Sequence, residues 1–430
     1  MSSPEQNRFL EDVRKDPRLL EETRALLRDP GAALRWAQER GYNLTLEDIH
    51  ELLDSDRELS DDDLDQAAGG EDEWGTGTPP PGGTGGGYAG SVVPLTYAHW
   101  LAVLEPRLTQ PLFDSGAVKR LRALAGALPG ECQGVLEARL AAAASPVDLS
   151  LRLLTAAQAR DVAERLPPSL ASNFLSLWLE PVRSVWLEFD LDQPLPADQL
   201  QIPIVCAKLP REIDPNWLTG TLLPALNGQA PSTKQHDLIL GCLEALPLSA
   251  SLLYVFNLQS RGSDAVRLEI FGLEPAEILG YLQSIAPRAV PGVVEMVPVF
   301  EGVERLHLSF DVGTEISPRI GIEGSFPRQP PREPRWEDLF ARLVERGLCS
   351  PTKRDAALAW PGYDTFWTAP ERWPVAETGI RGLCARSLSH VKVVCHAGRE
   401  PEAKVYLTFG PLGSAPEATS SAAREADLST

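Results

Sequence analysis

Five cations recur at one kind of position in the last two thirds of this chain. Arg152, Lys208, Arg267, Arg319 and Lys404 each stand in the second of two short, alternating apolar–polar segments. In an extended strand, successive side chains point to opposite faces, so parity sorts each segment. The cations fall on the same face as Glu137, Arg139, Asp148, Ser150, Trp186, Glu188, Asp190, Glu269, His307, Ser309, Asp311, Glu323, Lys392 and Tyr406. Such a row can neutralise a bound polyanion. It can equally pair with the carboxylates beside it, Arg267 with Glu269 and Arg319 with Glu323. Both readings stand on the residues alone. His307 and Asp311 share this face, but two such residues do not make a metal site.

The elements that must hold these residues repeat five times between about 134 and 409. The segment pairs are 135–141 with 148–153, 184–191 with 204–209, 252–258 with 265–271, 305–312 with 319–326, and 390–396 with 403–409. All but the last pair are followed by an amphipathic helical stretch: 156–165, 234–245, 276–285 and 336–346. The first segment is Ala-rich, and its pattern also fits a helix. Residues 94–128 are helical in pattern. The opposite strand face is apolar: Leu149, Leu151 and Leu153; Val185, Leu187 and Phe189; Val266, Leu268 and Ile270; Leu306, Leu308 and Phe310; Val391 and Val393; Val405, Leu407 and Phe409. That face needs cover, and the helices can supply it. The charged face must meet water or a ligand. An open sheet with one wet face satisfies this. So do ten antiparallel strands closed into a barrel with helices outside and a polar lumen, and closure also removes exposed edges. The expected fold is therefore α+β, a small helical unit plus such a ten-stranded barrel.

Five β-β-α units around a polar lumen resemble the ABBA aromatic prenyltransferases over roughly residues 130–409. The resemblance implies that the recurring cations hold the diphosphate of an allylic donor: Arg152, Lys208, Arg267, Arg319 and Lys404, joined by Lys392 and Tyr406. It places the acid/base carboxylate at Glu137, with Glu188 as a second. It assigns Trp186, Phe271 and His307, with Tyr406, to shielding the allylic cation. The family's usual set of lumen tyrosines is sparse here, with Tyr406 well placed and Tyr254 ambiguous. No cofactor is required by these residues, although Mg2+ can accompany a diphosphate.

The first 70 residues differ in character. Apolar residues recur at helical spacing from Phe9, and Arg40-Gly41 reads as a helix stop. Thr45-Leu46-Glu47-Asp48 fits a capping box. Phe9, the run 37–45 (AQERGYNLT) and the run 58–70 (ELSDDDLDQAAGG) resemble the Nif-type leader peptides of ribosomally made, modified natural products. That resemblance implies recognition by modifying enzymes or a protease, with cleavage after Gly69-Gly70. Asp61-Asp62-Asp63-Leu64-Asp65 has the spacing of a magnesium–diphosphate motif but reads as a solvated acidic helix end. The expected organisation is a leader-like domain at 1–70, a Gly/Pro linker at 71–92, the barrel with its N-terminal helices at 93–410, and a polar tail at 411–430.

Composition narrows the function. The net charge of -20 at pH 7 makes nucleic acid a poor partner, and more than half of it lies in residues 1–73. The six cysteines include no Cys-x-x-Cys pair, which suits a reducing, cytoplasmic setting rather than a zinc or disulfide scaffold. No apolar run reaches the ~20 residues of a membrane span. No P-loop, dinucleotide fingerprint or Ser-His-Asp pattern is present. The reading is a leader-fused prenyltransferase-like protein of ribosomal-peptide biosynthesis, moving an allylic group from a diphosphate to a peptide or aromatic acceptor. The alternative is a non-catalytic, precursor-like protein whose leader recruits maturation enzymes and whose barrel binds a small molecule or peptide.

Overall fold

The computed structural model describes residue 8 and residues 36–42, 96–126, 128–130, 132–141, 147–191, 202–365, 372, 383–396 and 398–411. The chain divides into two compact units, Met1–Leu64 and Asp65–Thr430. In the first unit a helical turn over 36–39 is stopped by Gly41 at φ +79°, a left-handed position that glycine takes at no steric cost. Arg8 donates to the Gly41 carbonyl at 2.8 Å and lies 4.9 Å over the Tyr42 ring. The capping box at 45–48, the acidic run at 61–65, Gly69-Gly70, the linker at 71–92 and the tail from 412 lie outside the described residues.

The second unit is built on one antiparallel sheet: β1 (Gln133–Arg139), β2 (Val147–Leu153), β3 (Ser184–Phe189), β4 (Ile204–Lys208), β5 (Ser251–Asn257), β6 (Val266–Phe271), β7 (Arg305–Val312), β8 (Ile316–Ser325), β9 (Gly362–Thr365), β10 (Leu383–His396) and β11 (Arg399–Pro411). The order is β11-β1-β2-β3-β4-β5-β6-β7-β8-β10-β9, with β11 also paired to β10. That last pairing closes ten strands into a barrel and leaves β9 as a flap on the first half of β10. The Ala-rich segment is strand β1, because both its neighbours, β2 and β11, pair with it along its length. Four-residue β9 is too short to show an alternation in sequence.

The helices are α1 (Tyr97–Leu104), α2 (Ser115–Ala125), α3 (Ala156–Arg165), α4 (Leu170–Leu177), α5 (Pro215–Trp217 continuing through a π-helical turn, Leu218–Leu222, to Leu223–Asn227), α6 (Thr233–Glu244), α7 (Pro275–Ile285), α8 (Arg335–Glu345) and α9 (Pro351–Leu358). Helix α3 starts where Thr155 accepts from the Gln158 N–H and Gln158 answers to the Thr155 N–H. Leu149, Leu187, Leu268, Leu308, Val393 and Leu407 from the strands join Val162, Ile239, Ile278, Leu282, Leu339 and Leu343 from the helices in one buried core. The apolar strand face is thus the outside of the barrel, sealed by helices, and the charged face is the lumen. No helix among the described residues is long and apolar enough to cross a membrane.

Candidate lumen site

The lumen contains a cavity of about 160 Å³. A buried water needs ~10–15 Å³ on the same measure, so the space suits a small organic group rather than one or two waters. Its wall includes Glu137, Trp186, Glu188, Arg267, His307, Arg319, Lys392, Lys404 and Tyr406. All of these stand among the residues singled out from the sequence. The wall also includes Tyr254, Phe256, Arg261, Glu269, Arg305, Glu323 and His390. Arg152, Lys208 and Phe271 lie off this wall. Arg152 stacks 5.6 Å over Trp186 and meets Gln133 at 3.4 Å; Lys208 lies 6.0 Å over the Tyr254 ring; Phe271 packs edge-on against His307 at 5.1 Å.

The local ion pairs envisaged from sequence are not the ones formed. Arg267 pairs across the strand ladder with Asp311 at 2.7 Å, and Glu269 pairs with His307 Nδ1 at 2.7 Å. Glu323 meets Lys392 and, at 3.3 Å, His390. Cross-strand neighbours win because i and i+2 on one strand stand ~7 Å apart, while residues opposite each other stand ~5 Å apart. Arg319 is therefore left over. Among the described residues its guanidinium makes no ion pair and no hydrogen bond; only its backbone N–H is engaged, with Ser317 Oγ. Burial, together with the nearby Arg267 and Arg261 charges, pulls its pKa down.

Arg261 was invisible to strand periodicity, because it sits in the turn after β5 (Gln259–Arg261). It bridges Asp190 and Glu188, donating to Glu188 Oε1 at 2.6 Å. Glu188 lines the cavity, and its Oε2 accepts no hydrogen bond among the described residues. Phe256 was hidden differently. A register shift between Leu252 and Tyr254 breaks the alternation of β5, whose residues are apolar or aromatic on both faces.

Glu137 is the most heavily engaged lumen carboxylate. Its Oε1 accepts from Lys404 Nζ and Arg139 Nη1, each at 2.7 Å, and its Oε2 accepts from the Tyr406 hydroxyl. Burial alone would raise its pKa; Lys404 and Arg139 outweigh burial and hold it well below the usual carboxylate range. Tyr406 stacks on His390 with centroids 4.0 Å apart. Burial pushes the His390 imidazole down to about 4. Burial and the Glu323 charge raise Glu269. Gly321 makes room for this packing: a Cβ there would overlap Ser309 Oγ and stand 2.7 Å from Lys392 Cε.

Comparison with known proteins addresses the two units separately. Residues 1–49 match the Nif11 domain. No curated protein matches the chain. Among solved structures, a 6-dimethylallyl tryptophan synthase is similar, with TM-score 0.42 and 14% identity, covering 73% of this chain and 96% of that chain. A 5-dimethylallyltryptophan synthase from Streptomyces coelicolor has TM-score 0.39 and 13% identity, covering 72% and 95%. AnaPT from Neosartorya fischeri has TM-score 0.38 and 11% identity, covering 74% and 94%. By its own strand order the second unit is the expected closed, ten-stranded antiparallel barrel, with helices outside it. The expected Nif-type resemblance at the N-terminus is met over residues 1–49.

Proposed function

We propose that the barrel binds an allylic diphosphate in its lumen and transfers the allylic group to an aromatic or peptide acceptor, in the setting of ribosomal-peptide biosynthesis. The observation that carries this reading is Arg319, a lumen guanidinium with no carboxylate of its own, beside Arg267 and Arg261. A diphosphate would supply the missing counter-charge, and the cluster would stabilise it as the leaving group while the allylic C–O bond ionises. Trp186, Tyr254, Phe256 and Tyr406 line the same cavity, and their ring faces suit an allylic cation. The acceptor carbon or heteroatom then bonds to the allylic carbon and loses a proton. Glu188, with one oxygen uncommitted, is placed to take that proton. Glu137, held ionised by Lys404 and Arg139, is a poor proton acceptor and serves as fixed negative charge. Lys392 and Lys404 close the wall on the β10–β11 side.

Residues 1–49, matched to Nif11, would bring modifying enzymes or a protease to the chain. This also keeps the second reading in view, a precursor-like protein whose barrel only binds. The deciding experiment incubates the full chain with dimethylallyl, geranyl or farnesyl diphosphate and Trp- or Tyr-containing peptides, with and without Mg2+. Mass spectrometry of peptide and protein should show the mass of one allylic group added. Binding of an allylic thiodiphosphate without any transfer would leave the binding-protein reading standing. No binding of any diphosphate would end the prenyl-transfer reading.

A further inference from the structure

We infer that Glu269, His307 and Glu323, supported by His390, form a binding site for one divalent transition-metal ion on the lumen wall. The inference does not depend on prenyl transfer. The ladder builds the cluster: His307 on β7 is directly opposite Glu323 on β8, and Glu269 on β6 stands two pairs further along on the same face, opposite Ser309. One ligand atom from each of Glu269, His307 and Glu323 lies within 4.8 Å of the others. Both carboxylates are buried, at 5% and 4% exposure, and all three residues reach the cavity.

Three features separate this cluster from an ordinary buried ion pair. It mixes an imidazole with two carboxylates, a donor set that favours zinc, cobalt or iron over magnesium, which prefers oxygen and keeps its waters. Two carboxylates share the space with one ammonium, Lys392, so the cluster carries negative charge in excess. Lys392 is paired with Glu323 Oε1, so a bound metal would share or displace that contact. A fourth donor is in place: His390 Nε2 stands 3.3 Å from Glu323 Oε2, while its Nδ1 is held by Ser389 Oγ at 3.0 Å. An imidazole fixed through one nitrogen with the other turned toward a carboxylate is the orientation that metal-ligating histidines are given by their outer partners.

The test uses the untagged full chain, stripped with a chelator and dialysed. Calorimetric titration with ZnCl2 should show one site per chain, and CoCl2 should give the visible absorption of a nitrogen- and oxygen-ligated Co2+. MgCl2 should give neither. His307→Ala and Glu323→Gln should each weaken Zn2+ binding at least tenfold. Their metal-free circular dichroism should match that of the unchanged chain. Should a variant fail to fold, His390→Ala, at the cavity edge of the cluster, takes its place with the same expected direction. Absence of any Zn2+ or Co2+ signal overturns the assignment. Binding that survives both His307→Ala and His390→Ala also overturns it, since it would then sit on other residues. Neither outcome touches the diphosphate reading, which is measured with a thiodiphosphate.

Discussion

Arg319 bears directly on whether the lumen binds an anion or neutralises itself. If the lumen charges were purely structural, each cation would have its carboxylate, as Arg267 has Asp311 and Lys404 has Glu137. Arg319 has none. Removing it should cost one charge-assisted contact, ~1.5–3 kcal/mol, or ~10–100-fold in affinity for an allylic thiodiphosphate. Lys208→Ala, off the cavity wall, should leave that affinity within about twofold. Calorimetry on Arg319→Ala and Lys208→Ala compares them, and equal effects would count against the assignment. A second residue-scale expectation concerns Asp148. Its carboxylate is buried beside Glu137, with Arg139 at 2.7 Å and the Leu191 N–H at 3.0 Å. Lys404 and Glu402 complete its charged surroundings from β11, through Glu137 and Arg139. Burial and the Glu137 charge raise its pKa above the ordinary 3.8, against the pull of Arg139. The folded state then holds the proton to higher pH than the unfolded state. This contribution to stability is largest below 3.8 and is lost as pH rises through the folded value. Asp148→Asn removes that loss, so its urea midpoint should climb more steeply with pH above 4 than the unchanged chain's. Parallel curves would show that Asp148 titrates normally. Parity in the sequence exposed Glu137, Glu188, Trp186 and Tyr406 as lumen residues, because a two-residue period survives any strand pairing. It could not show which charges meet, because register is a property of two strands at once. Arg319 and Glu323 looked like partners for that reason.

At the scale of elements, the most legible helices were those that follow a strand pair: α3, α6, α7 and α8. α3 and α7 begin within a residue of the expected positions, each behind a capping box. α4, α5 and α9 were not foreseen. α5 passes through a π-helical turn that breaks the 3.6-residue period, and α4 runs apolar on most sides. Strands β10 and β11 run past their expected ends, to Leu383 and Arg399, where polar residues and bulges blur the alternation. The outer helices matter energetically because each seals one stretch of barrel wall. α8 illustrates this through Trp336, fully buried, 5.0 Å edge-on to Phe326 and donating its indole N–H to the Arg328 carbonyl at 2.8 Å. Trp336→Ala should cost ~3–5 kcal/mol through lost burial and the cavity left behind. Trp336→Phe, which keeps the ring but not the N–H, should cost distinctly less. Chemical denaturation of both variants measures the difference. Equal losses would mean that the hydrogen bond, not the packing, holds the helix down.

For the whole molecule, the decisive contact is the seam where the last strand meets the first. β1 pairs with β11 from Gly134 opposite Phe409 to Arg139 opposite Lys404. The Glu137–Tyr406 hydrogen bond across it joins residues 269 positions apart. Contacts this distant carry a large loop-closure cost, which the rest of the barrel must offset. Sequence could pose closure against an open sheet but could not decide it, since both expose the same alternation. Gly134 lies at the seam with no room to spare. A Cβ there would overlap Tyr97 Oη and come 2.7 Å from the Phe409 ring, which packs against Tyr97 with centroids 5.5 Å apart. Gly134→Val should therefore destabilise by ~1–3 kcal/mol or more through overpacking. It should also act beyond its own position. Opening the seam unpairs one edge of β1 and one of β11 and separates Glu137 from Lys404 and Tyr406, so the lumen site and the fold should fail together. Thiodiphosphate binding and near-ultraviolet circular dichroism should be lost in one thermal transition at lower temperature. The matched control is Gly280→Ala in α7, where a Cβ meets nothing within 4 Å. There the gain in helix propensity should leave the melting temperature unchanged or raise it. If Gly134→Val melts like Gly280→Ala, the seam tolerates the added methyls and closure is looser than the pairing implies. If instead binding is lost while the transition stays in place, the seam shapes the lumen without holding the barrel shut.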